Sequence, residues 1–207
     1  MTIIKNIVYP DYWEKAILEL KKKDRILKKI IPLYKGKYKP SANSPFLTLI
    51  RFVLGQQVSV KSADTIWGRL IRLLGDNPSP KLILDIDSES LRVIGISKRK
   101  IEYLKDIADH FVAKHIQPEK WADMDDESII SDLSSIRGVG RWTAEMFLIF
   151  NLQRPDVMPL DDLGLLKAIS IHYFSGEPVS RFEAREVSVA WRPWRTVATW
   201  YLWRSIE

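Results

Sequence analysis

The sequence predicts an all-α protein built as two helical lobes with a cleft between them, and three observations carry that expectation. Apolar residues recur at helical spacing, as in Trp13, Ala16, Ile17 and Leu20, or Ile101, Leu104, Ile107, Ala108 and Phe111. No stretch alternates apolar and polar residues with the period of a strand. The 207 residues are 46% hydrophobic, enough to bury a sizeable core in one compact domain, and no linker or internal repeat divides them.

Taken in order, a first helix is expected over about Asp11 to Lys29, ended by Pro32, with a loop over Lys35 to Pro40. The Lys21-Lys22-Lys23 run reads as a solvated face that could also touch phosphates. Ser44-Pro45 pairs a capping hydroxyl with proline at the first helical position, and that helix stops at Gly55. Ser59 to Leu74 is amphipathic, with Val60, Ala63, Ile66, Trp67, Leu70 and Leu74 on one face and Gly75 as its stop. One or two short helices fill Lys81 to Ile94, and Gly95-Ile-Ser opens a longer one. The cations Lys98, Arg99 and Lys100 at its start oppose the helix dipole, a placement that a phosphate contact would explain. Asp125 and Asp126 open a helix ending near Leu133. Later helices are expected from Leu163 to Tyr173, from Ser180 to Trp191, and from Pro193 onward.

Composition narrows the function classes. A formal charge of +6 and a pI near 9.4 favour a polyanionic partner without proving one. Cysteine is absent, which excludes disulfides, thiolate metal sites and cysteine-ligated iron–sulfur clusters. His110, His115 and His172 lack ligand spacing, so no metal site and no cofactor are expected. No apolar run approaches the roughly 20 residues that span a bilayer, and Met1-Thr-Ile-Ile-Lys has no apolar leader core, so a cytoplasmic protein, or a nuclear one in a eukaryote, is expected.

The stretch around which the chain is organised runs Leu133-Ser-Ser-Ile-Arg-Gly138-Val-Gly140-Arg-Trp142-Thr-Ala-Glu-Met-Phe, followed by Met158-Pro-Leu-Asp161-Asp162-Leu. Glycines at 138 and 140 allow a sharp hairpin that exposes backbone N–H groups at the helix start near Arg141, a site suited to phosphate. By itself such a pair is more often a plain tight turn. Asp161 and Asp162, by themselves, are equally N-caps of the next helix.

Together with Leu54-Gly-Gln56-Gln57-Val-Ser59, Gly95-Ile-Ser-x-x-Lys-x-x-Tyr-Leu and Trp191-Arg-Pro-Trp through Trp203, these residues resemble the helix-hairpin-helix (HhH-GPD) DNA glycosylase superfamily, in its alkylbase, 3-methyladenine glycosylase II branch. The resemblance covers roughly Pro45 to Arg204. It implies a single glycosylase domain over 1–207 without the extra N-terminal domain of some relatives. Within it, 1–44 would pack on the C-terminal lobe, 45–150 would form a bundle ending in the hairpin motif, and 151–207 would supply the C-terminal helices.

What the resemblance implies for the site is specific. Asp162, twenty residues after Trp142, would be the catalytic carboxylate, stabilising a sugar with oxocarbenium character and guiding water. Trp142, Met146 and Trp203 would form the pocket for an extruded base; Met146 stands where some relatives have tyrosine. Gly138, Val139, Gly140, Arg141 and Thr143, with Gln56, Gln57 and Ser59, would contact DNA, Gln57 filling the gap in the duplex. Trp142 occupies the position of the lysine with which strand-cleaving relatives form an imine, and indole cannot do so, which implies simple hydrolysis. The implied partner is double-stranded DNA carrying a damaged base, bound by a monomer without a membrane; a monovalent cation at the hairpin when DNA is bound fits the same resemblance. The competing readings are a non-catalytic hairpin DNA-binding module and a glycosylase of another lesion specificity.

Overall fold

Side-chain caps set most helix borders in the computed structural model of the chain, which describes residues 9–34, 38 and 40–207. The N-terminal Met1–Lys5 segment and most of the Lys35–Pro40 loop lie outside the described residues. In chain order the α-helices are α1 Trp13–Lys23, α2 Arg25–Ile30, α3 Pro45–Gly55, α4 Val60–Leu74, α5 Pro80–Asp85 and α6 Ser88–Val93. They continue as α7 Lys98–Val112, α8 Asp126–Ser134, α9 Arg141–Phe150, α10 Leu163–Tyr173, α11 Arg181–Val189 and α12 Arg195–Arg204. Among the described residues there is no strand. Ser44, Ser59, Ser79, Asp87, Ser97, Asp125, Asp162 and Ser180 each accept a hydrogen bond from a backbone N–H of the helix they precede. Each such cap is worth about 1 kcal/mol.

The chain forms two compact units: residues 41–147, and residues 1–40 with 148–207. Helix α9 carries the border within it. In the 41–147 unit, α3 packs on α4 and α7, and α7 on α5 and α6. Leu49, Ile50, Val53, Leu70, Ile83, Leu91, Leu104 and Leu133 are buried there, and Trp121 meets Phe147 edge-on at 5.3 Å. In the other unit, α12 packs on α1, α2 and α10, around buried Trp13, Tyr38, Trp191 and Leu202.

Several expectations from the sequence are corrected. The first helix is two, because Asp24 adopts an extended conformation (φ −131°, ψ 117°) and caps α2. Its carboxylate is also the acceptor for Tyr173 Oη at 2.8 Å and Trp191 Nε1 at 2.9 Å, buried donors that need a partner. Burial, then this carboxylate, pushes the Tyr173 phenol well above its ordinary range. The last helix opens at Arg195, not Pro193, where the Arg195 backbone and guanidinium both hold Asp156. The Ser180–Trp191 helix is shorter, Arg181–Val189. A 3-10 segment over Pro118–Asp123 had no periodic signal. On α4 the expected apolar face is only partly covered: Leu70 and Leu74 are buried, while Val60 is 78% exposed.

Candidate active site and DNA-contacting hairpin

The turn between α8 and α9 needs glycine at one of its two glycine positions. Gly138 has φ +85°, and a Cβ there would stand 2.3–2.7 Å from ring carbons of Tyr103 on α7. Gly140 needs neither a left-handed conformation nor space, since nothing lies within 4 Å of an added Cβ. Val139 is buried, and its N–H donates to the Ile136 carbonyl at 3.1 Å, so this residue anchors the turn from inside. The first N–H groups of α9 have no intrahelical acceptor, which is the general state of a helix start and the reason such an end suits a phosphate.

Gln56 fastens the α3–α4 loop to that turn. Its amide nitrogen donates to the Gly138 carbonyl at 2.9 Å and to Thr143 Oγ1 at 3.2 Å; Thr143 is buried. From the other side Lys100 Nζ donates to the Leu54 and Gln56 carbonyls at 2.7 and 2.8 Å, closing the C-terminal end of α3. Burial lowers the Lys100 ammonium below its usual pKa. Lys100 and Gln56 thus brace the loop from both sides. Gln57 is exposed and held at φ +56°, a left-handed conformation unusual for a non-glycine residue. Ser59 caps α4, its Oγ accepting from Ser62 N at 3.2 Å.

Arg141 departs most from the expected phosphate contact. Its guanidinium donates to both oxygens of Glu127, the longer contact at 2.9 Å, and to Glu145 at 3.0 Å. That hydrogen bonding holds the Glu127 carboxyl below its usual range. Trp142, next in the helix, is 40% exposed and borders a hollow of about 640 Å³ with Gln57, Phe52 and Val58. Met146, one turn on, is buried, at 5% exposure. A second, more polar hollow of about 590 Å³ lies against the hairpin, with Arg99, Ser97 and Arg137 on its walls.

In the unit formed by 1–40 and 148–207, Asp162 caps α10. Its Oδ1 accepts from Leu165 N at 2.7 Å and from the indole Nε1 of Trp203 at 2.8 Å. The sequence foresaw the cap but not the indole. Asp161 turns away to an ion pair with Arg181 at 2.7 Å. Gly164 is the residue that sequence reasoning missed. A Cβ there would meet Asp162 Oδ1 at 3.2 Å and Trp203 Cδ1 at 3.5 Å, so a bare α-carbon lets the indole and the carboxylate close on each other. Among the described residues no group of three or more potential metal ligands is gathered. No helix of the described residues is long and apolar enough to cross a membrane.

An all-helical chain with a glycine hairpin leading into α9, and a capping aspartate at the next helix, has the anatomy of a base-excision glycosylase. Residues 50–193 match the model of the HhH-GPD superfamily base excision DNA repair proteins, and the chain belongs to that family. It is 37% identical over 199 residues to DNA-3-methyladenine glycosylase 1 of Schizosaccharomyces pombe, covering 92% of this chain and 86% of that one. The structure of the S. pombe 3-methyladenine DNA glycosylase in complex with abasic DNA superposes with a TM-score of 0.80 at 36% identity, over 92% of this chain and 96% of that chain. A DNA-3-methyladenine glycosidase from Bacillus halodurans gives 0.84 at 32% identity, over 92% and 88%. These relatives put the chain in the alkylbase branch.

Proposed function

We propose that the chain hydrolyses the N-glycosidic bond of alkylated purines of the 3-methyladenine and 7-methylguanine class in double-stranded DNA, as a monomer, leaving an abasic site in an intact strand. The observation that carries this reading is Asp162, a carboxylate held at a helix start by two donors to one oxygen. A negative charge there stabilises the sugar cation that forms as the C1′–N bond breaks and its electron pair leaves with the base. Water adds to C1′, and its proton passes to the carboxylate. A base positively charged by methylation departs neutral. DNA would be gripped through phosphates by the N–H groups at the start of α9, with Gln57 projecting into the duplex and Trp142 offering an aromatic face to the extruded base. Such a protein works where DNA is, in the cytoplasm of a prokaryote or the nucleus of a eukaryote.

Absence of strand cleavage rests on Trp142, which stands where an imine-forming amine would be needed. Borohydride added during turnover is expected to trap no covalent protein–DNA complex, and gels are expected to show nicking only after the abasic site is opened chemically. A robust trapped adduct would assign another amine to the chemistry.

Substrate choice should follow charge and bond lability together. An aromatic face is worth about 0.5–2 kcal/mol to a cationic base, which is roughly a twofold to thirtyfold preference and no more. Single-turnover rates on matched duplexes are expected to rank 3-methyladenine and 7-methylguanine first, hypoxanthine and ethenoadenine slower, and 8-oxoguanine and uracil slowest. Fastest removal of uracil or 8-oxoguanine would defeat the alkylbase specificity and leave the glycosylase reading standing.

A further inference from the structure

We propose that Trp203 is the positioning residue of the reaction: its indole N–H sets the rotation of the Asp162 carboxylate, and this, rather than walling the base pocket, is its principal role. The inference rests on the catalytic reading of Asp162 given above.

A carboxylate at the end of an aspartate side chain turns in a broad torsional well, so one hydrogen bond leaves its second oxygen a wide arc. Here Oδ1 takes two donors from different elements, Leu165 N at 2.7 Å within α10 and Trp203 Nε1 at 2.8 Å from α12. Two directions converging on one oxygen fix the plane of the group and hence the direction of Oδ2. Donors to an ionised oxygen are the stronger class of hydrogen bond, so the orientation is held firmly.

The indole is itself held. Its ring stacks on Phe150 at 6.1 Å with 13° between planes, Phe150 stacks on Tyr38 at 6.1 Å and 16°, and Tyr38 meets buried Trp13 at 4.6 Å. This column of four aromatic rings runs from the core of the unit to the carboxylate. It fixes the plane of the indole and therefore the line of its N–H. One face of Trp203 is covered by Phe150 and its polar edge is engaged by Asp162, so two of its surfaces are committed to the protein. Gly164 completes the arrangement, because a Cβ there would press on Asp162 Oδ1 at 3.2 Å while only touching the indole at 3.5 Å. The fold thus holds the reacting carboxylate through a neighbour whose own freedom is taken up by packing, as a preorganised site requires.

The test needs a ligand with no base. Dissociation constants should be measured for duplexes carrying a cationic pyrrolidine abasic analogue and a neutral tetrahydrofuran one. The wild-type protein is expected to prefer the cation, and Asp162→Asn to lose that preference. If Asp162→Asn keeps it, the catalytic reading of Asp162 fails, whatever Trp203 does. Trp203→Phe keeps an aromatic ring on Phe150 and removes the N–H. It is expected to lose about tenfold in cation preference with unchanged affinity for the neutral analogue, and to slow excision by the same factor for 3-methyladenine and hypoxanthine. Incorporation at position 203 of the tryptophan analogue with sulfur in place of the indole N–H preserves shape, and the same loss is expected should the phenylalanine variant fold poorly. An intact cation preference in either protein, or an excision loss that differs by more than a few-fold between the two bases, would overturn the positioning role and return Trp203 to the pocket wall.

Discussion

Asp162→Asn is expected to slow single-turnover excision of 3-methyladenine by roughly 10³-fold, about 4 kcal/mol of transition-state stabilisation, with little change in thermal stability or in affinity for undamaged DNA. The substitution separates the two jobs of this side chain. Asparagine is as good an N-cap as aspartate, and its carbonyl oxygen can still accept from Leu165 N and Trp203 Nε1, so α10 stays closed at its start. What disappears is the negative charge that the proposed mechanism sets against the sugar cation, and with it the acceptor for the water proton. Asp162→Ala would blur the result, since it also removes a cap worth about 1 kcal/mol. Excision by the asparagine variant at a rate within tenfold of wild type, with melting temperature unchanged, would end the catalytic assignment of Asp162. Asp161, paired with Arg181, supplies the control: Asp161→Asn should leave excision within a few-fold of wild type.

The second large effect concerns the hairpin. Gly138→Ala forces a side chain into the left-handed region at φ +85° and drives its Cβ into the ring of Tyr103. Left-handed geometry alone costs roughly 1–2 kcal/mol, and relieving the overlap adds about 1–3 kcal/mol. Tyr103 cannot withdraw without cost, because its hydroxyl accepts from Arg99 and the Arg99 guanidinium lies over its ring at 5.4 Å. Nor can the turn relax alone, since Gln56 ties the Gly138 carbonyl to the α3–α4 loop. The expected result is a destabilisation of about 2–5 kcal/mol together with weakened binding to any duplex. Gly140→Ala is the contrast. Its Cβ would enter open space, so stability should change by less than about 0.5 kcal/mol. Any loss of DNA affinity in that variant reports the approach of a phosphate to the backbone, and the salt dependence of binding should become shallower with it. Denaturation curves and titrations at several salt concentrations check both. Equal stability for Gly138→Ala and wild type would refute the strain argument, and undiminished affinity for Gly140→Ala would remove the hairpin as the phosphate grip.

The amino-acid sequence by itself determined the helical class, most of the helices, several of their caps and the family. Periodic apolar residues and Ser or Asp at N-caps are local signals, since the side chain and the N–H it accepts from lie only two or three positions apart. Ser44, Ser59, Asp125 and Asp162 could therefore be read in order along the chain. The hairpin and the Asp161-Asp162 pair were legible as motifs for the same reason. Only the tertiary structure decided which members of those motifs are tied to other segments of the protein. Gly138 and Gly140 look equivalent in the sequence, yet Tyr103, thirty-five residues away in the chain, makes one of them indispensable. Asp24 divided an apparently continuous helix because Tyr173 and Trp191 brought it buried donors. Lys100, Gln56 and Arg141 carry charge or polarity suited to DNA, and the fold also gives each a carbonyl or carboxylate partner from another segment. Trp203 is an aromatic residue in the sequence and a donor to Asp162 in the fold, across 41 positions. Hydrogen bonds and close contacts between distant segments depend on coordinates to a few tenths of an ångström, and no periodicity in a linear chain encodes them.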